Sequence, residues 1–408
     1  MSISPTPLAD ERFDVRPALL LVLVLFLNLL PRVLLSPLLL EIEAAFDLSR
    51  AESSGLFLFV SVGFSITMLL SGFVAERLHH RGTIVLSLSV VGAASVLLAA
   101  APSASVLRVL LFVLGMGAGL YAPSGIATLT GAAHARHWGK ALALHEVGPI
   151  LGFFAAPVIA EAAIQLGSWR LLFAVIGIAC FAMAIFYRGV SRGGRFPGSP
   201  PNLHHVRSIL AQRTFWVVAL LFMLALGLEI GVFALLPTFL IERREMTSTA
   251  ANSLVSVSRL TALLLVFGSG VLADRFGAKR LLTTICLLAG VATALIGISR
   301  GSMLYVVVVV QPMLIAAFFP AALVLLSSIA APESRNVVIS LVIPISYLFG
   351  AGAAPFGIGL LSEAGAFGAG FVILGMLMMA STLLLRFLPR TPVDNSGTDS
   401  HSGSGGTM

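Results

Sequence analysis

Twelve apolar segments dominate this chain, near residues 17 to 40, 53 to 76, 83 to 101, 105 to 130, 140 to 165, 169 to 187, 214 to 240, 250 to 274, 280 to 298, 303 to 330, 336 to 362 and 368 to 388. Each is long enough to cross a hydrocarbon core of roughly 30 Å as a helix. A segment in lipid must satisfy its own backbone, which leaves helices as the natural reading of runs this long. Composition agrees, since 58% of the 408 residues are hydrophobic, 11% are charged and the mean hydropathy is +1.02. No water-soluble core of this length needs so much apolar surface. The 39 glycines and 20 prolines fit the same reading, because membrane helices tolerate both where neighbours re-satisfy the backbone.

An even number of spans places both termini on one side. Seventeen of the 25 arginines and lysines then fall on the side of the termini and six on the other, with Arg32 and Arg259 left inside the membrane. The positive-inside rule makes the side of the termini cytoplasmic and the protein a multi-pass component of the inner (plasma) membrane. The first apolar run follows Asp10, Glu11 and Asp14 and lacks a small-residue cleavage site, so it is expected to remain as the first helix. A pI near 10.2 invites nucleic acid as a partner, but the arginines are scattered over many loops without aromatic interleaving, and topology accounts for them. Cys180 and Cys286 both fall in apolar segments and indicate neither a disulfide framework nor a metal site.

The longest polar insert, residues 188 to 213, divides the spans six and six. The expected organisation is a cytoplasmic N-terminus (1–16), a six-helix bundle (17–187), a basic cytoplasmic linker (188–213), a second six-helix bundle (214–388) and a low-complexity, disordered tail (389–408). The two bundles repeat each other. Pro37 matches Pro237 at an offset of 200, Gly72 and Arg77 match Gly270 and Arg275 at 198, Pro123 matches Pro320 at 197, and Pro157 matches Pro355 at 198. The fold class expected is therefore an all-α membrane protein of twelve helices in two pseudo-symmetric bundles, a plan in which the halves rock about a site at their interface.

The two six-helix halves, the linker and the sequence GVLADRFGAKR resemble the major facilitator superfamily. The resemblance implies a gate motif in the loop between the second and third helices of each half. In the second half this is Gly270, Asp274, Arg275, Gly277, Lys279 and Arg280. The first half keeps Gly72 and Arg77 but has Glu76 for the aspartate and His79 for the second glycine, so its gate contact is expected to differ. The fifth segment carries Gly148, Pro149, Gly152 and Pro157, a small, kinkable face suited to helix packing. It resembles the Gly-Pro motif of the superfamily's antiporters. Against that reading, Leu111 and Leu114 stand where drug antiporters have arginine and glutamine, and Asn28 stands where they have aspartate.

Arg259 lies about 13 Å deep if its helix enters near Ala250, and Arg32 follows about 15 residues of its own helix. A charge at such depth costs from about 3 to over 10 kcal/mol unless it meets a partner, water or a ligand. Asn28, Arg32 and Ser36 share one helix face. Two arginines from opposite halves point to an anionic substrate, because a guanidinium is a fixed fork of donors that stays charged. The alternative pairs Arg32 with Glu229 and Arg259 with a carbonyl or carboxylate as structural contacts. Tyr121, Tyr347, Gln311 and Ser258 are the polar groups that could complete the site. Glu229, Glu146 and His145 are the candidates for proton coupling.

These readings converge on a secondary transporter moving a small anion, an organic carboxylate, with protons by alternating access. The runner-up is a drug or metabolite efflux antiporter. No nucleophile elbow, phosphate loop or metal spacing marks an enzyme, and no cofactor is expected. The partners expected are the substrate, protons and lipid, with the resemblance implying a monomer.

Overall fold

The computed structural model describes residues 14–199, 203–262, 265, 272, 275, 277–322 and 335–387, and these contain helices and no strand. In the first half the helices are α1 (Arg16–Val33), α2 (Leu39–Phe46), α3 (Arg50–Ala99), α4 (Ala104–Gly119), α5 (Tyr121–Ala132), α6 (Trp138–His145), α7 (Val147–Gln165) and α8 (Trp169–Val190). After α9 (Leu203–Leu210), the second half has α10 (Arg213–Leu226), α11 (Val232–Arg244), α12 (Ser248–Leu260), α13 (Ala278–Ile298), α14 (Gly301–Ala316), α15 (Arg335–Tyr347), α16 (Ala354–Glu363) and α17 (Phe367–Leu385). Ten helical stretches among the described residues are long and apolar enough to cross a membrane. One of them, Arg50–Ala99, holds two of the expected segments, and each of the twelve contains a described helix.

Many segments are broken rather than straight, and prolines explain several breaks. A proline inside a helix cannot donate to the carbonyl four residues before it, and that carbonyl must find another donor. Pro31 frees the Leu27 carbonyl, which takes the Cys180 thiol at 3.6 Å. Pro237 frees the Phe233 carbonyl, which accepts from Ser36 Oγ at 2.6 Å across the two halves. Pro149 likewise frees the carbonyl of His145, where α6 ends. Ser65 Oγ donates to the Pro344 carbonyl at 2.8 Å and Ser256 Oγ to the Phe154 carbonyl at 2.6 Å, so hydroxyls of each half fill acceptors of the other.

Two π-helical turns, Gly227–Gly231 and Leu348–Ala353, interrupt the seventh and eleventh segments. They lie against each other: a Cβ at Gly350 would stand 2.5 Å from Leu226 Cβ and 2.7 Å from the Gly227 nitrogen. Glycine permits this approach, and it brings Glu229 and Tyr347 to the interface of the halves. In the fifth segment, Gly148 and Gly152 seat α7 on α1, where added Cβ atoms would stand 3.0 Å from the Val22 carbonyl and 3.0 Å from Leu29 Cδ2. The small face expected there is a packing face.

Of the expected gate motif, Gly270 and Asp274 lie outside the described residues. Gly72 is partly buried, and Glu76, Arg77, Arg275 and Arg280 are exposed. His79 and Gly277, at the same place in the repeat, leave the helix in related conformations, φ 59° and ψ 165° for His79 and φ 87° and ψ 132° for Gly277. These values belong to a region that glycine enters freely and side chains do not. The first half thus keeps the bend without the glycine. The linker clasps this bend, with His80 N donating to the Phe196 carbonyl at 3.3 Å, Arg81 N to the Gly194 carbonyl at 2.8 Å and Gly198 N to the Ala75 carbonyl at 3.0 Å.

Substituting His79→Gly is therefore expected to stabilise the protein by about 1 kcal/mol, the relieved strain exceeding the freedom glycine adds to the unfolded chain. Gly277→Ala is expected to destabilise it by a similar amount. Unfolding temperatures in detergent check both, and a lower midpoint for His79→Gly would contradict the strain.

Candidate functional site

Arg32 on α1 is 7% exposed and Arg259 on α12 is 4% exposed, so both guanidiniums are buried where the halves meet. Arg32 Nη1 donates to Tyr347 Oη at 2.8 Å and Nη2 to Asn28 Oδ1 at 3.3 Å. Asn28 Nδ2 in turn donates to Ser87 Oγ at 2.9 Å, and Ser87 Oγ to the Gly117 carbonyl at 2.7 Å. This chain ties Arg32 to its own bundle through Asn28 and to the opposite bundle through Tyr347. Its guanidinium also lies 5.0 Å from the Phe64 ring centre and 5.8 Å from that of Tyr347. The pairing of Arg32 with Glu229, considered from sequence, is not what the structure contains: a tyrosine hydroxyl takes that place, and the Arg32 charge has no carboxylate among its hydrogen-bond partners.

Arg259 is held more loosely. Nη1 reaches the Glu229 backbone carbonyl at 3.5 Å, while Nε and Nη2 are buried without a hydrogen-bond partner. Its guanidinium stacks near Phe233 at 4.7 Å and Phe153 at 5.5 Å, one ring from each half. A cation over aromatic faces is attracted by about 0.5–2 kcal/mol, which keeps the charge in place without occupying its donors. Each buried donor left unpaired costs about 1–3 kcal/mol. The site is thus short of an acceptor.

Beside Arg32 lies a small cavity of about 20 Å³ lined by Arg32, Phe57, Val60, Phe233, Tyr347 and Ala351 among others. That is room for little more than one water. Phe233 faces this cavity with Arg32 and also stacks on Arg259, so one ring borders both charges. Glu229, on the first π-helical turn, is half-buried, and the Glu146 side chain is 61% exposed.

Other polar residues expected at the site are already occupied elsewhere. Gln311 Nε2 donates to the Leu228 carbonyl at 2.8 Å and to Thr293 Oγ1 at 3.2 Å, bracing the π-helical turn from behind. Ser258 Oγ returns to its own helix at the Val255 carbonyl, 2.7 Å away. Tyr121 is 1% exposed and bonded to His145 Nε2 at 2.9 Å inside the first bundle. Of the residues expected to hold substrate, the structure gathers Arg32, Asn28 and Tyr347 into one network with Arg259 across Phe233, and leaves the other three in packing contacts.

At the face opposite the termini, contacts absent from the sequence reading join the halves. Glu161, ending α7, accepts from Ser248 Oγ at 2.7 Å, Thr249 Oγ1 at 2.6 Å and Asn252 Nδ2 at 2.9 Å in the first turn of α12. Glu363, ending α16, accepts from Ala51 N at 2.9 Å and Ser49 Oγ at 3.3 Å at the start of α3. Each bundle's fifth segment therefore caps the second segment of the other, a carboxylate at the positive end of a helix. The helix starts carry the repeat in their own caps, Ser49 and Thr247, at an offset of 198. Beside them Arg50 pairs with Glu43 at 2.9 Å and with Glu242, and burial raises the Glu43 carboxyl above its ordinary range. The available signal was an acidic residue ending each of two repeat-related segments opposite a hydroxyl-rich helix start.

Among the described residues the body is helical, in two repeated halves with buried charges at their seam and contacts joining them at one face. A family model described as Major Facilitator Superfamily matches residues 21–259 and 245–405, and the chain belongs to that superfamily. Curated protein sequences give no match. Among solved structures, a bacterial homologue of the human lysosomal transporter Spinster, inward-facing and unoccupied, is similar with a TM-score of 0.73 and 18% identity, covering 93% of this chain and 96% of that one. A D-xylose-proton symporter gives 0.75 and 16% over 92% and 98%, and a POT family transporter bound to a thioalcohol-conjugated peptide gives 0.77 and 13% over 91% and 96%. At these identities the likeness is one of fold.

Losing either glutamate cap is expected to loosen the face opposite the termini. With Ser36, 1% exposed beneath it, replaced by cysteine, maleimide labelling in detergent should quicken roughly tenfold in Glu161→Ala or Glu363→Ala, about 1.4 kcal/mol for a lost cap. Unchanged labelling in the double variant would show that other contacts hold the face shut.

Proposed function

We propose that this transporter moves a small organic anion, a carboxylate, by alternating access and couples it to protons. The observation that carries the reading is Arg259, a buried guanidinium on aromatic rings with two donors unpartnered. A carboxylate accepts from such a fork through both oxygens and cancels the buried charge at the same time. Arg32, braced by Asn28 and Tyr347, supplies the second positive group from the other half. Because one arginine belongs to each bundle, an anion between them draws the halves together from both sides.

Protons enter through the groups that surround this site. Glu229 shares its backbone carbonyl with Arg259, and its side chain is electrostatically coupled to both Arg259 and Glu146. A deprotonated Glu229 competes with the substrate for the Arg259 charge, and a protonated one leaves that charge to the substrate. Anion binding is then favoured as pH falls, the sense required for carrying the two together. With the termini cytoplasmic, by the excess of arginine and lysine on their side, the face closed by Glu161 and Glu363 is external. The protein works as a monomer in the inner membrane.

The alternative, a drug or metabolite efflux antiporter, rests on the small face of the fifth segment, which packs on α1.

Thermal stabilisation by a panel of mono- and dicarboxylates, phosphate, nitrate and lipophilic cations tests the proposal. A carboxylate at a hundredfold excess over Kd should add about 2.7 kcal/mol of stability. Arg259→Gln should abolish that gain, and stabilisation by lipophilic cations alone would defeat the anion reading. Glu229→Gln should bind the anion equally well from pH 6 to pH 8 while the native protein weakens toward pH 8. A native-like pH profile in Glu229→Gln would move the coupling elsewhere.

A further inference from the structure

The first bundle contains a titratable group that the anion site does not use. His145, at the end of α6, is 4% exposed, and its Nδ1 has no hydrogen-bond partner. Its Nε2 lies 2.9 Å from Tyr121 Oη, with the two ring planes parallel to within 6°. Tyr121 Oη lies 3.1 Å from the Leu21 carbonyl as well. The Glu146 carboxylate stands 3.7 Å from His145 Nδ1.

These contacts determine where the hydrogens are. A phenol has one hydrogen to give, and a carbonyl has none. If Tyr121 gave its hydrogen to the imidazole, its oxygen would face the Leu21 oxygen at 3.1 Å with nothing between them. Giving it to Leu21 leaves the phenol oxygen free to accept, and His145 Nε2–H then donates to it. Each polar atom in that chain is satisfied. The neutral imidazole has a single N–H, so Nδ1 carries a lone pair 3.7 Å from a carboxylate oxygen. That contact is unfavourable as it stands and becomes favourable once a proton is added at Nδ1.

We propose that His145 is a proton-binding site of this transporter, loaded at Nδ1, with Glu146 as its counter-ion and Tyr121 as the positioning residue that selects its tautomer. The proton passes from hydronium to the Nδ1 lone pair, water departs, and release reverses the step. Glu146, with 61% of its side chain exposed, gives the site contact with the surroundings that buried His145 lacks. α6 ends at His145, whose carbonyl Pro149 leaves without its helical donor, and α7 begins at Val147, so the imidazole sits at a break in the helix. The other groups that face the pair are Tyr187 of α8, coupled to Tyr121, and Glu229 of the seventh segment, coupled to Glu146, while α1 contributes the Leu21 carbonyl. Charge on His145 offsets that of Glu146 and so reaches Glu229 and Arg259. The effect on flux rests on the proton-coupled reading above; the tautomer and the titration do not.

The test uses the full-length protein in micelles with ¹⁵N-labelled histidine, and the resonances of His145, one of eight histidines, are assigned by difference from His145→Gln. Neutral His145 is expected as the Nε2–H form that gains its proton at Nδ1. Tyr121→Phe should yield a mixture of tautomers, and Glu146→Gln should lower the titration midpoint by about one pH unit through loss of the nearby negative charge. A neutral Nδ1–H form, or an unmoved midpoint in Glu146→Gln, would overturn the site. In vesicles, anion flux by His145→Gln should lose part of its pH dependence and keep the share that Glu229 carries, and Glu146→Gln should shift the profile toward acid. Normal pH dependence in both would overturn its role in transport. Expected spectra without flux of any carboxylate would instead defeat the anion reading and leave the proton site standing.

Discussion

Within a bilayer no water is at hand to accept a hydrogen bond that the protein fails to make, and much of this structure answers that constraint. Prolines in several segments strand a carbonyl, and at Leu27 and Phe233 a donor from elsewhere takes it. Ser36 on Phe233 ties one half to the other through such a freed acceptor, and Ser65 on Pro344 and Ser256 on Phe154 cross the same seam. The breaks that make the helices bendable therefore also make them adhesive. A net contribution of about 1 kcal/mol for each such bond is modest, and a modest seam is one that can open.

The same reasoning distinguishes the two arginines. Arg32 has a phenol, an amide and two rings around it, and its network runs back into its own bundle as far as the Gly117 carbonyl. Arg259 has two rings and one long contact to a backbone carbonyl, with two donors unused. Burying a charge without full hydrogen bonding is costly, and the aromatic faces recover part of that cost while leaving the fork unoccupied. The Arg50 guanidinium, by contrast, is set against two carboxylates, those of Glu43 and Glu242.

Much of this was legible in the chain itself. Apolar runs located the segments, the offset near 198 exposed the repeat, and an i, i+4 spacing put Asn28 beside Arg32, where the structure has it. Depth along a helix identified the two buried charges. Direction around the helix was harder: Tyr121, Gln311 and Ser258 sit at suitable depths but face inward within their own bundles, because a single polar group in an apolar helix does not reveal which neighbour will satisfy it. The seats of the arginines, Phe64, Phe153 and Phe233, are three of 27 phenylalanines that are indistinguishable by composition. Glu161 and Glu363 escaped notice because a helix-ending glutamate reads as a surface charge until the opposite helix start is seen beneath it.

His79 and Gly277 show what the repeat preserves. The two halves diverge in sequence at this position but not in backbone, since both bend through positive φ before the third segment begins. Glycine reaches that conformation freely, whereas histidine is held there by its surroundings: the linker's Gly194 and Phe196 carbonyls accept from Arg81 and His80 just beyond the bend. Where the connecting segment holds the bend, the backbone keeps a conformation that suits glycine even though a side chain stands there.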